Sequence, residues 1–448
     1  MRHHCLILAE APGALVEVCG VPLLERLLRI LQRCGLKRAT VLSDVPEQLR
    51  AALAKPSRHR AQVELEIRSR GCGPATVEQI ATAWPNEAER VLVIRGDYVL
   101  DSRLLQLLDE KERTTALLDS APPAELERLL ASATRTRRGR LCGAALVSRD
   151  WVRRHTGSVE AALQSDIEKD EIRTVNIAAR SWYLAGMRRE VRPLWFPAPG
   201  PAGRKTAGRL LIKGSQKGAL DFPAIVHGPV ENFLIGHLSG KSITPNQLTG
   251  LTNLVAWAAT VLFATGRLGW GTLLALAVGV LDGLDGKQAR VKVETSKIGK
   301  LEHLFDAFFE HSWWIAIAWS LQISHQLSGA FIYLLLLMTS EAVAGLSKLS
   351  VVSACDRTLD ELGDFNRIVR LIGGRRNVYI WMFALGLVLG LAAETFVAMA
   401  LWAAISATVQ VIRASLVIRA HRTRRAAPVL AADAGVLDAV LTEAITDQ

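Results

Sequence analysis

Cysteine pairing is the first thing missing. The six cysteines, Cys5, Cys19, Cys34, Cys72, Cys142 and Cys355, form no Cys-x-x-Cys motif in 448 residues. Most fall in apolar or helical contexts, which predicts reduced thiols and no disulfide framework. Aromatic residues are scarce, at 6%, and the basic residues are not interleaved with them. The stacking platforms of a nucleic-acid surface are therefore absent, and no nucleic-acid partner is expected. Negative charge is in deficit: 43 Asp and Glu stand against 54 Lys and Arg, a formal charge of +11. The excess suits an anionic leaflet and phosphate-bearing substrates. The start, Met1-Arg-His-His-Cys5-Leu-Ile-Leu-Ala9, has too short an apolar core for a secretory signal.

Hydrophobic residues make up half of the chain but are unevenly spread. The first 240 residues are mixed and charge-rich. From about 247 to 418 come six apolar stretches of membrane length: 247–266, 268–286, 300–322, 328–349, 377–393 and 394–418. The loops after the second and fourth are basic, with Lys287, Arg290, Lys292, Lys297 and Lys300, then Lys348, Arg357, Arg367, Arg370, Arg375 and Arg376. The opposite loops hold little more than Arg267, His325 and Glu394. Positive-inside logic predicts a multi-pass protein of the cell inner membrane with both termini cytosolic.

Before the membrane stretches, the rhythm is strand, helix, strand. Cys5–Ala9, Ala39–Ser43, Val63–Arg68 and Val91–Ile94 read as strands, and Val21–Arg33, Pro46–Ala54 and Ala75–Ala83 as helices. This predicts a parallel α/β sheet with helices on both faces, where ligands collect at the carboxyl ends of strands. Gly13 and Asp97 are placed there. Arg135–Arg140 reads as a basic loop. Phe196-Pro-Ala-Pro-Gly-Pro-Ala-Gly203 is a linker by composition. Asp221–Leu238 reads as an interfacial helix with Phe222, Val226, Phe233 and Leu234 on its apolar side.

The chain is organised around Leu281-Asp282-Gly283-Leu284-Asp285-Gly286-Lys287-Gln288-Ala289-Arg290. Carboxylates at i and i+3 share one helix face. At membrane depth they are costly unless paired or bound to metal. Acid pair, small residues and a following Arg suit a divalent cation holding a diphosphate. The plain alternative is a helix end whose acids reach water.

Asp-x-x-Asp-Gly-x-x-Ala-Arg, then eight residues, then Gly299, resembles the opening of the signature of CDP-alcohol phosphotransferases. The usual continuation, Gly-x-x-x-Asp-x-x-x-Asp, is altered here to His303 and Ala307. Glu302, Asp306 and Glu310 form an i, i+4, i+8 stripe beside His303. A shift of one residue would put Glu302 and Asp306 in the usual acid positions; alternatively His303 ligates the metal. The resemblance implies Mg²⁺ or Mn²⁺ on Asp282, Asp285, Glu302 and His303, with Asp306 as general base. It implies a nucleotide beside Gly286, Ala289 and Gly299, with Lys287 and Arg290 on phosphate. Arg375 and Arg376 are candidates for an acceptor phosphate, or positive-inside anchors.

The first part resembles sugar-type nucleotidyltransferases, through Val18-Cys-Gly-Val-Pro-Leu-Leu-Glu-Arg26 and Arg95-Gly-Asp97. Its glycine-rich loop is reduced to Glu10-Ala-Pro-Gly-Ala-Leu15, with no cation for a triphosphate. Asp97 is then a metal ligand or a plain strand-end residue, and the domain reads as a degenerate cytidylyltransferase. The expected organisation is a nucleotidyltransferase-like domain over 1–195, a linker and interfacial helix over 196–240, a six-helix transmembrane CDP-alcohol phosphotransferase domain over 241–425, and a cytosolic tail over 426–448. This order resembles fused cytidylyltransferase and di-inositol phosphate synthase proteins. It implies transfer from a CDP-alcohol donor, such as CDP-inositol, to an alcohol or inositol-phosphate acceptor, in a lipid bilayer and as a homodimer. A CDP-diacylglycerol-dependent phospholipid synthase and a non-catalytic membrane binding protein are the competing readings.

Overall fold

The computed structural model describes residues 4–10, 12–54, 61–219, 221–294 and 299–446, with the side chains of 299–305 and 424–446 outside the description. The chain forms two compact units. The first comprises Met1–Gln216, Asn232–Gln247 and Leu284–Lys297, the second Lys217–Glu231, Leu248–Gly283 and Ile298–Gln448.

The first unit is built on an eight-stranded sheet. Its main strands are β1 (His4–Ala9), β2 (Arg38–Ser43), β3 (Glu64–Ser69), β4 (Arg90–Arg95), β5 (Thr115–Asp119), β6 (Gly139–Ser148) and β7 (Arg173–Asn176). They lie in the order β7-β5-β6-β4-β1-β2-β3. β1 runs parallel to β2, with Leu6 opposite Thr40, and parallel to β4, with Ile7 opposite Ile94. Cys5–Ala9 and Val91–Ile94 are buried throughout, as continuous apolar runs in a doubly covered sheet must be.

The sheet is mixed, however, and this corrects the wholly parallel expectation. β6 runs antiparallel to both β4 and β5. A parallel return needs a crossover of a dozen or more residues, usually helical. Between β5 and β6 the only helix is the single turn Ala124–Glu127. Within that connection Arg135–Thr136 pairs antiparallel with the start of β6, so the basic stretch 135–140 is a tight hairpin and not a free loop.

Helix Leu23–Arg33 buries Leu23, Leu24, Leu27, Leu28 and Leu31, the face its spacing predicts. Its other face carries Arg26, Arg29 and Arg33. They donate to the main-chain oxygens of Val291 (2.7 Å), Lys292 (2.9 Å) and Glu294 (2.7 Å). Those carbonyls end a helix and have no partner within it, so the guanidiniums act as its cap.

The remaining helices are α1 (Phe222–Leu238), α2 (Pro245–Ala264), α3 (Leu268–Lys292), α4 (Gly299–Ile323), α5 (Ala330–Cys355), α6 (Asp364–Ile372), α7 (Arg376–Val388) and α8 (Ala392–Thr446). Each of the six apolar stretches read from the sequence is helical. By length and composition α2, α3, α5 and the Ala392–Thr423 part of α8 are long and apolar enough to cross a membrane, and α7 is a shorter apolar helix. The core of the second unit is aromatic. Trp313 stacks at a tilt on Phe309 with ring centres 5.2 Å apart, and Trp314 meets Tyr379 edge-on at 5.6 Å. The Trp313 indole N–H donates to the Ala256 carbonyl at 2.9 Å. Both tryptophans are buried packing residues. Leu254, Val261, Ile332, Leu335 and Val388 stay exposed, the pattern of helices whose outer surface meets hydrocarbon.

Candidate functional site

Asp282 lies near the end of the apolar part of α3. Its Oδ2 accepts from Arg376 Nη2 at 2.5 Å. Arg376 opens α7, and its guanidinium lies over the Phe309 ring at 5.1 Å. Two further carboxylates act on it, Glu310 and Asp306, both from α4. One acid thus contacts this guanidinium in the second unit, and two more act on it through their charge. A fork-shaped, permanently charged donor stacked on an aromatic face is fixed in orientation and can serve several oxygens. The structure therefore brings together Asp282, Asp306 and Arg376 from among the sequence-predicted residues, and adds Glu310.

A second polar group packs against α3 from α1. Asp221 precedes α1, accepts from the Ala224 N–H at 3.0 Å and receives Asn377 Nδ2 at 3.2 Å. His227 Nε2 accepts from the Trp381 indole N–H at 3.3 Å. Burial pushes the His227 imidazole below its ordinary value, while Asp221 and Glu231 pull the other way. Gly279 and Gly283 make room for this face. A Cβ on Gly279 would sit 2.8 Å from His227 Cε1, and one on Gly283 would overlap the Glu231 carboxylate. Asp221, His227 and Glu231 are all buried. Sequence reasoning saw only the apolar side of α1. The available signal was His227 and Glu231 at i, i+4 on one helix and Gly279 and Gly283 at i, i+4 on another.

On α4 and α5, His311 Nε2 lies 3.8 Å from Glu341 Oε2. His311 Nδ1 donates to the Ala307 carbonyl at 2.6 Å. Glu341 is therefore an interior polar contact. Glu302 and His303 lie outside the residues whose side chains are described, as does Gly299 at the start of α4.

The following residues belong to the first unit. Asp285 is buried, and its Oδ1 accepts the Gly286 N–H at 2.5 Å. Lys287, expected on a phosphate, is fully buried and donates to the Gln216 side chain. Arg290 Nε donates to the Ser215 carbonyl at 2.8 Å. A Cβ on Gly286 would meet Arg290 Nη1 at 3.2 Å. Ala289 is partly exposed.

Asp97 is held by its neighbour. Both its oxygens accept from Arg95, Oδ1 from Nε and Oδ2 from Nη2, each at 2.8 Å. The same guanidinium binds Glu10 at 2.8 Å and Glu160 at 2.5 Å. Gly13 closes over this group: a Cβ there would lie 2.8 Å from Asp97 Cβ. Burial raises the Glu10 carboxyl above its ordinary value against the pull of Arg95.

The donor set on α3 and α4 is carboxylate oxygen, which suits Mg²⁺ or Mn²⁺. Among the described residues no group of three His, Cys, Asp or Glu side chains lies close enough together to hold an ion.

Residues 242–410 match the family model for CDP-alcohol phosphatidyltransferase. Over 134 residues, 29% of the chain, the sequence is 33% identical to the "Bifunctional IPC transferase and DIPP synthase" of Aquifex aeolicus (strain VF5). The match spans 31% of that relative's length. Among solved structures, the inositol-1-phosphate CTP transferase from T. maritima aligns at TM-score 0.33 with 14% identity, over 45% of this chain and 91% of that one. HddC from Yersinia pseudotuberculosis aligns at TM-score 0.29 with 16% identity, over 35% and 83%. The signature at Asp282–Arg290 lies within the 242–410 segment that matches the CDP-alcohol phosphatidyltransferase model.

Proposed function

We propose that this protein is a membrane CDP-alcohol phosphotransferase. It moves a phospho-alcohol from a CDP-alcohol, CDP-inositol in the favoured reading, to an alcohol such as inositol phosphate, and releases CMP. The observation that carries this reading is the pairing of Asp282, near the end of the apolar helix α3, with Arg376, on which Asp306 and Glu310 of α4 also act. Charge of this density on half-buried side chains is costly and is kept where chemistry uses it.

In this reading Asp282 and Asp285, one turn apart on α3, hold the divalent ion, with Glu302 and His303 as further ligands. When bound, the ion supplies positive charge to the donor's diphosphate. Asp306 takes the proton from the acceptor hydroxyl. The freed oxygen bonds to the phosphorus that carries the donor's alcohol, the anhydride bond breaks, and CMP leaves with the electron pair. Arg376, with Arg375 beside it, orients a phosphate of the acceptor; its stack on Phe309 keeps the fork in place as its carboxylate partner changes. Gly286, Ala289 and Gly299 leave room for the nucleotide, and Lys287 and Arg290 lend positive charge. Residues 1–195 form a cytidylyltransferase-like domain without activity of its own, since Arg95 already occupies both oxygens of Asp97. Six spans, cytosolic termini and a homodimer in the bilayer complete the proposal.

A lipid donor, CDP-diacylglycerol, is the second reading. It is favoured by α1, whose His227 and Glu231 are buried while Phe222, Ile225, Val226 and Val230 are exposed. One assay separates the two: CMP release from CDP-inositol and from CDP-diacylglycerol, each with Mg²⁺ or Mn²⁺. Asp282→Asn is expected to lower CMP release roughly a hundredfold or more. Full activity in that variant sinks the site assignment. No CMP from either donor leaves a non-catalytic binding protein.

A further inference from the structure

The first unit contains a cavity of about 380 Å³, a volume within the usual range for small-molecule sites. Five arginines line it, Arg26, Arg33, Arg103, Arg192 and Arg290, against one acid, Asp101. Two of the five are matched by carboxylates: Arg103 binds Asp101 at 2.7 Å, and Arg192 binds the buried Asp119 at 2.5 Å. Arg26 is not, and Arg33 has only the weaker pull of the Glu294 carboxylate. Arg26 donates to the carbonyls of Val18 (3.2 Å) and Val291 (2.7 Å), and its buried Nε has no partner among the described residues. Arg33, at the exposed rim, donates to the Glu294 carbonyl. The nearby Glu294 carboxylate is engaged by Arg29 at 3.5 Å. The rest of the wall is largely apolar, with Leu184, Val191 and Leu211.

Main-chain carbonyls satisfy hydrogen-bond geometry but leave the positive charge standing. Burial accordingly pushes Arg26 down to about 10, and burial followed by Arg29 lowers Arg33. A concave, half-apolar wall with surplus guanidinium charge is the environment that phosphate oxygens complement. We propose that this cavity binds a small phosphate-bearing anion, a phosphomonoester whose phosphate meets Arg26 and Arg33 and whose body lies along the apolar wall. The inference does not rest on the reaction proposed above; neither Arg26 nor Arg33 takes part in that reaction, although Arg290, which lines the cavity, is placed in it.

The test is calorimetric titration of the full-length protein in detergent without divalent cations, so that the proposed reaction site is not assembled, with CMP and, separately, with inorganic phosphate. CMP is expected to bind, and inorganic phosphate to bind more weakly because it lacks a body for the apolar wall. Arg33→Gln at the rim is expected to weaken CMP binding about tenfold. Leu211→Trp, which fills the cavity, is expected to abolish it. Asp282→Asn, which reports on the reaction, is expected to leave the affinity unchanged. The proposal is overturned if neither anion binds at millimolar concentration, or if Arg33→Gln leaves the affinity as it was. It is also overturned if binding disappears in Asp282→Asn, since the ligand then sits with the proposed reaction residues. Should Leu211→Trp not fold, the Arg33 variant decides alone.

Discussion

Arg376 receives Asp282 directly and feels Asp306 and Glu310 from the neighbouring helix. An unpaired carboxylate among buried apolar groups costs several kcal/mol, so the guanidinium is what lets the three acids coexist. The Arg376→Gln variant is therefore expected to lose roughly a hundredfold in CMP release, with Arg376→Lys recovering only part. A lysine that restores full activity would show that charge alone matters and that the fork on Phe309 does not. The acids of this group were legible in the sequence because each belongs to a local pattern, Asp282 with Asp285 on α3 and Asp306 with Glu310 on α4. Their partner was not. Asp282 and Arg376 are 94 residues apart, and an Arg at the start of an apolar helix reads equally as a topological anchor. Asp97 was legible as a strand-end acid, but its capture by Arg95, two residues away, depends on how the chain turns after β4.

Helices declared themselves more plainly than their loads. The leucine stripe of Leu23–Arg33 and the apolar face of α1 follow from periodicity, and both faces are where spacing put them. The buried side of α1 escaped notice because His227 and Glu231 look like ordinary polar residues until Gly279 and Gly283 are seen to accommodate them. The antiparallel β6 escaped because strand direction depends on the connection and not on composition.

One element carries a pH dependence. Asp360, between α5 and α6, pairs with Arg370 on α6. Burial pushes the Asp360 carboxyl up, but Arg370 and the local hydrogen bonds outweigh it and hold the group below its ordinary value. A depressed carboxyl stabilises the folded state above its unfolded pKa, near 3.9, and loses that contribution as pH falls through the folded value. Asp360→Asn is expected to cost about 1–2 kcal/mol of amide-exchange protection in α6 at pH 6. The difference should shrink as pH is lowered below about 4. Equal protection at pH 6 would remove the pair from the account of α6.

At the scale of the whole chain, the basic loops predict both ends on the cytosolic side. A fluorescent protein fused after Gln448 should be bright, and alkaline phosphatase fused there should be inactive. Fusions in the loop near His325 should behave the opposite way. The reverse pattern at either place would invert the topology.

The first unit is assembled from three separate stretches of chain. A fragment of residues 1–216 is expected to be cut by protease faster than the same residues in the full chain, because Arg26, Arg29 and Arg33 lose the carbonyls they cap. Indistinguishable digestion rates would deny those contacts any stabilising part. The order of synthesis then acquires meaning. The strands leave the ribosome long before Val291 and Lys292 exist, so the arginine caps on the early helix are completed only once that later stretch has been made.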